Sequence, residues 1–383
     1  MEERLQKLIH ASSPTQSPAW AKKWKKQGNQ VIGTLCSYIP EEIIQAAGML
    51  PWRITGAWRN IILVEVYYPQ SSCSFCMHVL ESLLAGELDF LDGVVMTDWS
   101  DDTRRLWDIW THVGKPSLIE IIHIPHQDTA LARQELAKEL SRFTDKLEKF
   151  TKASISTQRL RQEIDTNNRV RDLLTRLYQL RKRVALPLTG AEVMGITLAA
   201  MVMPKEQFAA ELEALLPCIE GRTAKMKANS PRLMVSSDKL DNPEFLELIE
   251  EAGCAVVMDD LDTGSRYFWG PAVNTTEDPF AALAQRYIER PPCPRMYAWE
   301  SQVAQVTDWV NEFNIDGVVE LVLEHSRPRE IRTPFLRTSL EKAGIPFISL
   351  TRDYYPTNIG QFKTRIEAFV ETIRTKKHGS PVS

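Results

Sequence analysis

The chain has 383 residues, of which 43% are apolar and 25% charged, with a formal net charge of −4. That length exceeds what one core usually fills and predicts two or three domains. The slight acidity argues against a nucleic-acid binder, which would carry a basic stripe, and no apolar run reaches the roughly 18 residues of a membrane span.

The first residues, MEERLQKLIHASS, carry acids and no apolar core, so no secretory signal is expected and the chain is read as cytoplasmic. In a reducing compartment its six cysteines are thiols or metal ligands before they are disulfides. AKKWKKQ (21–27) reads as a solvated helix face.

Short β-branched runs then alternate with helical patterns. Strands are expected at 31–35, 61–66, 93–97 and 118–124, with helices at 40–48, 74–86 and 101–112. Pro40 suits a first helical position, and Glu41 and Glu42 complement the positive end of that helix. Such alternation predicts a parallel α/β layer. Residues 128–186 contain neither glycine nor proline and place Leu173, Leu174, Leu177, Leu180 and Val184 at helical spacing, which predicts two or three long helices. The segment 190–204 reads as a buried helix.

From 231 the α/β rhythm returns, with strands expected at 232–236, 254–258, 316–323 and 346–350. Helices are expected at 243–252, 279–289, 298–313, 331–343 and 359–375. Asp-Gly-Val-Val opens a strand in both halves, at 92–95 and 316–319, which hints at two related domains. The fold class expected is therefore α/β: two Rossmann/flavodoxin-like parallel-sheet domains, 1–127 and 230–383, joined by a helical segment, 128–229.

Phosphate-binding glycine motifs, a G-x-S-x-G elbow and H-E-x-x-H are all missing from the sequence. The Gly-Ser-Arg turn in 259–270 reads as an ordinary loop, with an anion site, such as one for a CoA phosphate, as the alternative. The cysteines remain. Cys36 closes a strand, and Cys73 and Cys76 form SSCSFC on a loop. Ligands in α/β sheets bind beyond the strands' carboxyl ends, and thiolates suit iron–sulfur clusters or zinc. The C-x-x-C spacing equally fits a redox pair, and Cys36 equally a buried thiol. Cys218 and Cys254, in apolar surroundings, read as core. Cys293, in PPCPRM, reads as structural, with a ligand role as the alternative.

Four blocks make the sequence recognisable: GTLCSYIPEEIIQAAGMLPWRITG, CSFCMHVLESLLAGELDFLDGVVMTDWSDDTRRLWDIW, RLMVSSDKLDNPEFLELIEEAGCAVVMDDLDTGSRYF and DGVVELVLEHSRPREIRTPFLRTSLEKAGIPFISLTRDYYPTNIGQFKTRIEAFVE. In order and spacing they resemble the 2-hydroxyacyl-CoA dehydratase and benzoyl-CoA reductase family over nearly the whole chain. Within that family the chain is most similar to the smaller cluster-bearing subunit of an ATP-dependent benzoyl-CoA reductase.

The resemblance implies a [4Fe–4S] cluster, a homologous cluster-bearing partner subunit and ATP-hydrolysing activator subunits. It also implies ferredoxin as upstream electron donor and benzoyl-CoA or a related acyl-CoA as substrate. Reduction of the ring by single electrons and protons would give a cyclic diene, in a dry cavity that tryptophans such as Trp52, Trp58 and Trp99 could line. Candidate proton donors near the ligands in sequence are Tyr38, Glu41, Glu42 and His78. A dehydratase subunit and a cluster-poor scaffold are the alternatives.

Of the family's cluster cysteines, Cys36 and Cys73 carry over. The third, in the loop after the second Asp-Gly-Val strand, is replaced by Ser326 beside His325, and another frequent cysteine is Ser100 here. Cys76 stands where the family usually has an aliphatic residue, and is expected to supply the missing thiolate, with His325 or Ser326 as the alternative third ligand.

Overall fold

A computed structural model describes residues 1–13, 16–69, 71–355 and 359–377. Among them, eight strands form two four-stranded, wholly parallel sheets. The first contains β1 (Val31–Thr34), β2 (Leu50–Arg53), β3 (Gly93–Thr97) and β4 (Leu118–Ile122), in the order β2-β1-β3-β4. The second contains β5 (Arg232–Ser237), β6 (Ala255–Asp260), β7 (Gly317–Leu323) and β8 (Phe347–Arg352), in the order β6-β5-β7-β8. The two orders are the same, as the expected pair of Rossmann-like α/β units requires. Every residue of β1, β3, β6 and β7 is buried, because helices cover both faces of each sheet.

The repeated Asp-Gly-Val-Val has the same job in both halves. Asp92 accepts the Val31 N–H at 2.8 Å and returns its own N–H to the Val31 carbonyl at 2.9 Å. Asp316 does the same with Arg232, at 2.7 Å in both directions. Each aspartate thus clamps the start of one central strand to its neighbour. The glycine that follows is closely packed: a Cβ on Gly93 would stand 2.7 Å from Ile32 Cδ1, and one on Gly317 2.6 Å from Ile373 Cδ1, so a side chain at either would force the neighbouring isoleucine to shift.

Between the sheets run the long helices Ala130–Thr151 and Thr157–Gln179, capped by the Thr129 and Ser156 hydroxyls. Leu173, Leu174 and Leu177 point into the main core as their spacing predicts, whereas Val184 lies beyond the helix and is exposed. The helix Gly190–Ala199 is apolar on nearly all sides and buried accordingly. Among the described residues no helix is long and apolar enough to cross a membrane.

One expected strand is wrong. Residues 61–66 do not enter a sheet; they form a loop ending in the short 3-10 turn Val64–Val66. The buried Glu81 carboxylate accepts the N–H groups of Ile62, Leu63 and Val64 at 3.1, 2.8 and 3.2 Å, so no row of donors is left for a ladder. The fourth strand of the sheet is instead β2, four residues beginning Leu50-Pro51 after a left-handed turn at Gly48 (φ 80°). Pro51 cannot donate to a ladder and is tolerated because β2 is an edge.

The halves are joined by a buried charge cluster. Asp262, just past β6, accepts from Arg53 Nη1 at 3.0 Å, from Lys239 Nζ, and from the Ser37 N–H and hydroxyl. Arg53 and Ser37 belong to the first half; Asp262 and Lys239 belong to the second. Burial alone would push the Asp262 carboxyl up, but the Lys239 ammonium and the Arg53 guanidinium hold it well below the usual carboxylate range. Asp262→Asn would leave two buried cations without a counter-charge and is expected to lower the unfolding free energy by about 3–5 kcal/mol at neutral pH, read by urea titration. The folded-state pKa lies below the unfolded one, so this contribution is complete above about pH 4 and fades as pH falls through the folded value. Wild type should therefore lose stability on acidification more steeply than the variant.

Candidate active site: four thiols where the two sheets meet

In each sheet the chain reverses direction of winding between its two central strands, β1 and β3 in one, β5 and β7 in the other. The carboxyl ends of such strands are where α/β sheets bind ligands. Here the two switch points face each other across one cavity. Its lining includes Cys36 after β1, Thr97, Trp99 and Ser100 at the end of β3, Asp238 and Lys239 after β5, and Leu323 and Ser326 after β7. Cys73, Phe75, Cys76, Asp262, Cys293 and Arg295 complete it.

Cys73 is the N-cap of the helix Ser74–Leu84, and Cys76 lies three positions further on. N-cap and N3 side chains meet on a helix end, the geometry that builds a capping box, so the C-x-x-C spacing brings the two sulfurs together. The Cys76 thiol donates to Cys73, drawing the Cys73 thiol below its usual value and pushing Cys76 well above. The Cys73 N–H is held by Asp102 Oδ1 at 3.1 Å. Ser100 and Ser326 are likewise N-caps, of the helices Asp101–Val113 and Arg327–Lys342. Three helix N-termini therefore border the cavity, and the positive ends of their dipoles favour negative charge in it.

Cys293, which reads as structural from sequence, lies in the cavity. Its loop is pinned to the Cys36 loop: Arg290 donates to the Ser37 carbonyl and hydroxyl at 2.5 and 2.7 Å, and the Cys293 N–H reaches the Tyr38 hydroxyl at 3.4 Å. Arg332 fastens the other side through the carbonyls of Pro294 and Met296, at 3.2 and 2.6 Å. Burial pushes the Cys293 thiol up, and the Arg295 guanidinium, 3.6 Å from its sulfur, pulls it back. Arg295 also faces Asp238 at 3.8 Å, whose Oδ1 is buried without a partner. Nothing in the spacing of the six cysteines flags Cys293, since it lies 217 positions after Cys76.

The other expected participants are engaged elsewhere. Ser326 is buried and donates its hydroxyl to Asp238. His325 sits at φ 62°, half-buried and outside the cavity lining. Glu41 pairs with Lys205 at 2.7 Å and accepts from the Tyr267 hydroxyl at 2.7 Å; Glu42 pairs with Arg171 and accepts from Tyr287 at 2.8 Å. His78 donates Nδ1–H to the Ala57 carbonyl at 2.7 Å, and burial holds its imidazole below the usual value. Tyr38 packs on Trp99 at 3.9 Å between centroids, and burial raises its phenol. Of Trp52, Trp58 and Trp99, only Trp99 lines the cavity. Arg266 of the Gly-Ser-Arg turn is fully buried against Asp260 and the Ser237 carbonyl, so the turn is a structural loop and not an anion site.

Four free thiols around one cavity are the soft donor set that iron–sulfur clusters use. Among the described residues no three His, Cys, Asp or Glu side chains converge closely enough for a single metal ion. A cluster asks less, because each of its irons takes a separate thiolate. The cavity measures about 30 Å³, so the cysteine side chains would have to move apart to admit a cluster.

A family model described as 2-hydroxyglutaryl-CoA dehydratase, D-component, matches residues 36–373. The chain belongs to this family, which joins acyl-CoA dehydratase and benzoyl-CoA reductase subunits. It is 25% identical to the (R)-phenyllactyl-CoA dehydratase beta subunit of Clostridium sporogenes, over 92% of this chain and 94% of that one. The beta subunit of (R)-2-hydroxyglutaryl-CoA dehydratase from Acidaminococcus fermentans matches at 25%, over 92% and 94%. A benzoyl-CoA reductase subunit of Thauera aromatica matches at 25%, over 90% of each chain.

Cys254 is in the core as expected, its thiol pushed up to about 12 by burial. Cys218, expected there too, is exposed: it falls on the outer face of the helix Lys205–Glu220, whose inner face is Leu212, Leu215, Leu216 and Ile219. In the metal-free native chain, iodoacetamide should therefore label Cys218 first, half-buried Cys36 next, and the four buried thiols last, as read by peptide mass spectrometry.

Proposed function

We propose that the chain is the iron–sulfur subunit of an ATP-dependent (class I) benzoyl-CoA reductase, a cytoplasmic complex that reduces the aromatic ring to a cyclic dienoyl-CoA by low-potential one-electron transfer. The observation that carries the reading is the meeting of Cys36, Cys73 and Cys76 at the mouth of both sheets in a chain of this family. Those residues would hold a [4Fe–4S] cluster, whose chemistry is the passage of single electrons at low potential. The chain's own contribution is to surround the site with Leu35, Phe75, Trp99 and Leu323, which limit water, and to offset thiolate charge with Arg295 and three helix N-termini.

The electrons would come from ATP-hydrolysing activator subunits fed by ferredoxin, and the acyl-CoA would be shared with a homologous cluster-bearing subunit. Ile62 and Val66, 73% and 87% exposed beside half-exposed Leu63 and Tyr67, form an apolar patch of the kind a permanent partner covers. A second reading, a subunit of a 2-hydroxyacyl-CoA dehydratase, is favoured by the names of two relatives of equal identity. A cluster-poor scaffold is the third, favoured by Ser326 in place of the family's cysteine.

Two measurements separate them. Anaerobic iron and sulfide quantification with EPR should find a cluster in wild type and lose it in Cys36→Ala and Cys73→Ala; a chain that holds no iron with its partner present is a scaffold. Product analysis of the activated recombinant complex should yield a cyclic diene from benzoyl-CoA, whereas an enoyl thioester from a 2-hydroxyacyl-CoA establishes the dehydratase.

A further inference from the structure

We infer that Cys293 is a cluster ligand and that, with Cys36, Cys73 and Cys76, it makes a closed four-thiolate set, so this chain relays electrons and does not bind substrate at iron. The inference rests on the cluster reading above and concerns which residues hold the group. Three observations carry it. All four cysteines line one cavity. The Cys293 and Cys36 loops are tied together by Arg290–Ser37 and Cys293–Tyr38 hydrogen bonds, so the two thiols are positioned jointly. The guanidinium of Arg295 lies 3.6 Å from the Cys293 sulfur and is largely shielded from solvent, a cation placed for a thiolate.

The hydroxyl of Ser326, the other candidate in this part of the cavity, is already committed to Asp238, and a hydroxyl is a harder donor than iron–sulfur chemistry prefers. His325 is not in the lining. Cys293 and Cys76 therefore make up the set that Cys36 and Cys73 begin. With a thiolate on every iron, no coordination position is left for a substrate oxygen. A group held in this way would supply only transfer of one electron at a time, from a low-potential iron–sulfur donor that would be oxidised to a substrate-bearing partner that would be reduced, with no bond made in this subunit.

The test uses the full chain, reconstituted anaerobically with ferrous iron and sulfide. Mild ferricyanide oxidation removes the iron that lacks a protein thiolate and leaves a three-iron cluster visible by EPR. Wild type should keep its four-iron form, whereas Cys293→Ser should give the three-iron signal and lose iron to a chelator about tenfold faster or more, the scale found even for changes beyond the ligands themselves. A wild-type three-iron signal, or a Cys293→Ser spectrum and iron retention like those of wild type, overturns the inference while the cluster reading stands. If wild type takes up no iron, both fall.

Because Cys293→Ser could unfold the loop, a second measurement needs no variant. In the loaded wild-type chain, Cys293 and Cys36 should both resist iodoacetamide, and stripping the iron with a chelator should raise the labelling rate of each, with half-buried Cys36 remaining the faster of the two. Equal labelling of Cys293 with and without the cluster overturns the inference.

Discussion

The carboxylate of Asp262 is the constraint on which the site depends. One buried anion binds Arg53 and Ser37 from the first half and Lys239 from the second. Lys239 in turn donates to the Leu35 carbonyl at 2.7 Å, directly before Cys36. The two sheets are thereby held mouth to mouth, and the loops after β1, β3, β5 and β7 have one space to share. Buried ion pairs seldom add net stability over an apolar equivalent, and their use is often to fix geometry. Here the geometry fixed is the approach of two switch points that sit on separate sheets.

The same economy of fastening recurs around the thiols. Arg290 ties the Cys293 loop to Ser37, Arg332 holds its far side, and the Ser74 hydroxyl at the head of the Cys73 helix donates to Asp353 beyond β8. Each cysteine-bearing loop is thus attached to the opposite half of the molecule or to the loop across the cavity. The result is a set of soft donors with restricted backbone freedom and with positive ends of helices behind them. That combination suits an anionic, thiolate-held group more than it suits a single metal ion, for which the described side chains do not converge closely enough.

Several other buried carboxylates are matched by cations near the centre of the fold. Glu41 pairs with Lys205, Glu42 with Arg171, and Asp260 with Arg266 and Arg329. These pairs occupy the carboxylates nearest to Cys36 in sequence. Proximity along the chain made Glu41 and Glu42 candidates for proton transfer; their ion pairs across the fold give them structural work instead. Tyr38 is different, since its ring stacks on Trp99 of the cavity wall and its hydroxyl accepts from the Cys293 N–H.

By itself the sequence determined the periodicity: the parallel strands, the long polar-faced helices of 130–179 and the two Asp-Gly-Val-Val clamps all follow from local patterns of burial and turn chemistry. It also determined the Cys73–Cys76 pair, because N-cap and N3 are neighbours on any helix. Only the tertiary structure decided the rest. Ile61–Val66 reads as a strand by composition, yet one distant carboxylate, Glu81, takes its donors and leaves Ile62 and Val66 in solvent. Leu50–Arg53, too short and proline-containing to read as a strand, becomes one because an edge needs few donors. The place of Cys293, read from sequence as structural with a ligand role only as the alternative, was settled in the cavity for a deeper reason: it depends on Arg290, Tyr38 and Arg332 joining three distant segments, and no pattern local to Cys293 encodes a contact of that range.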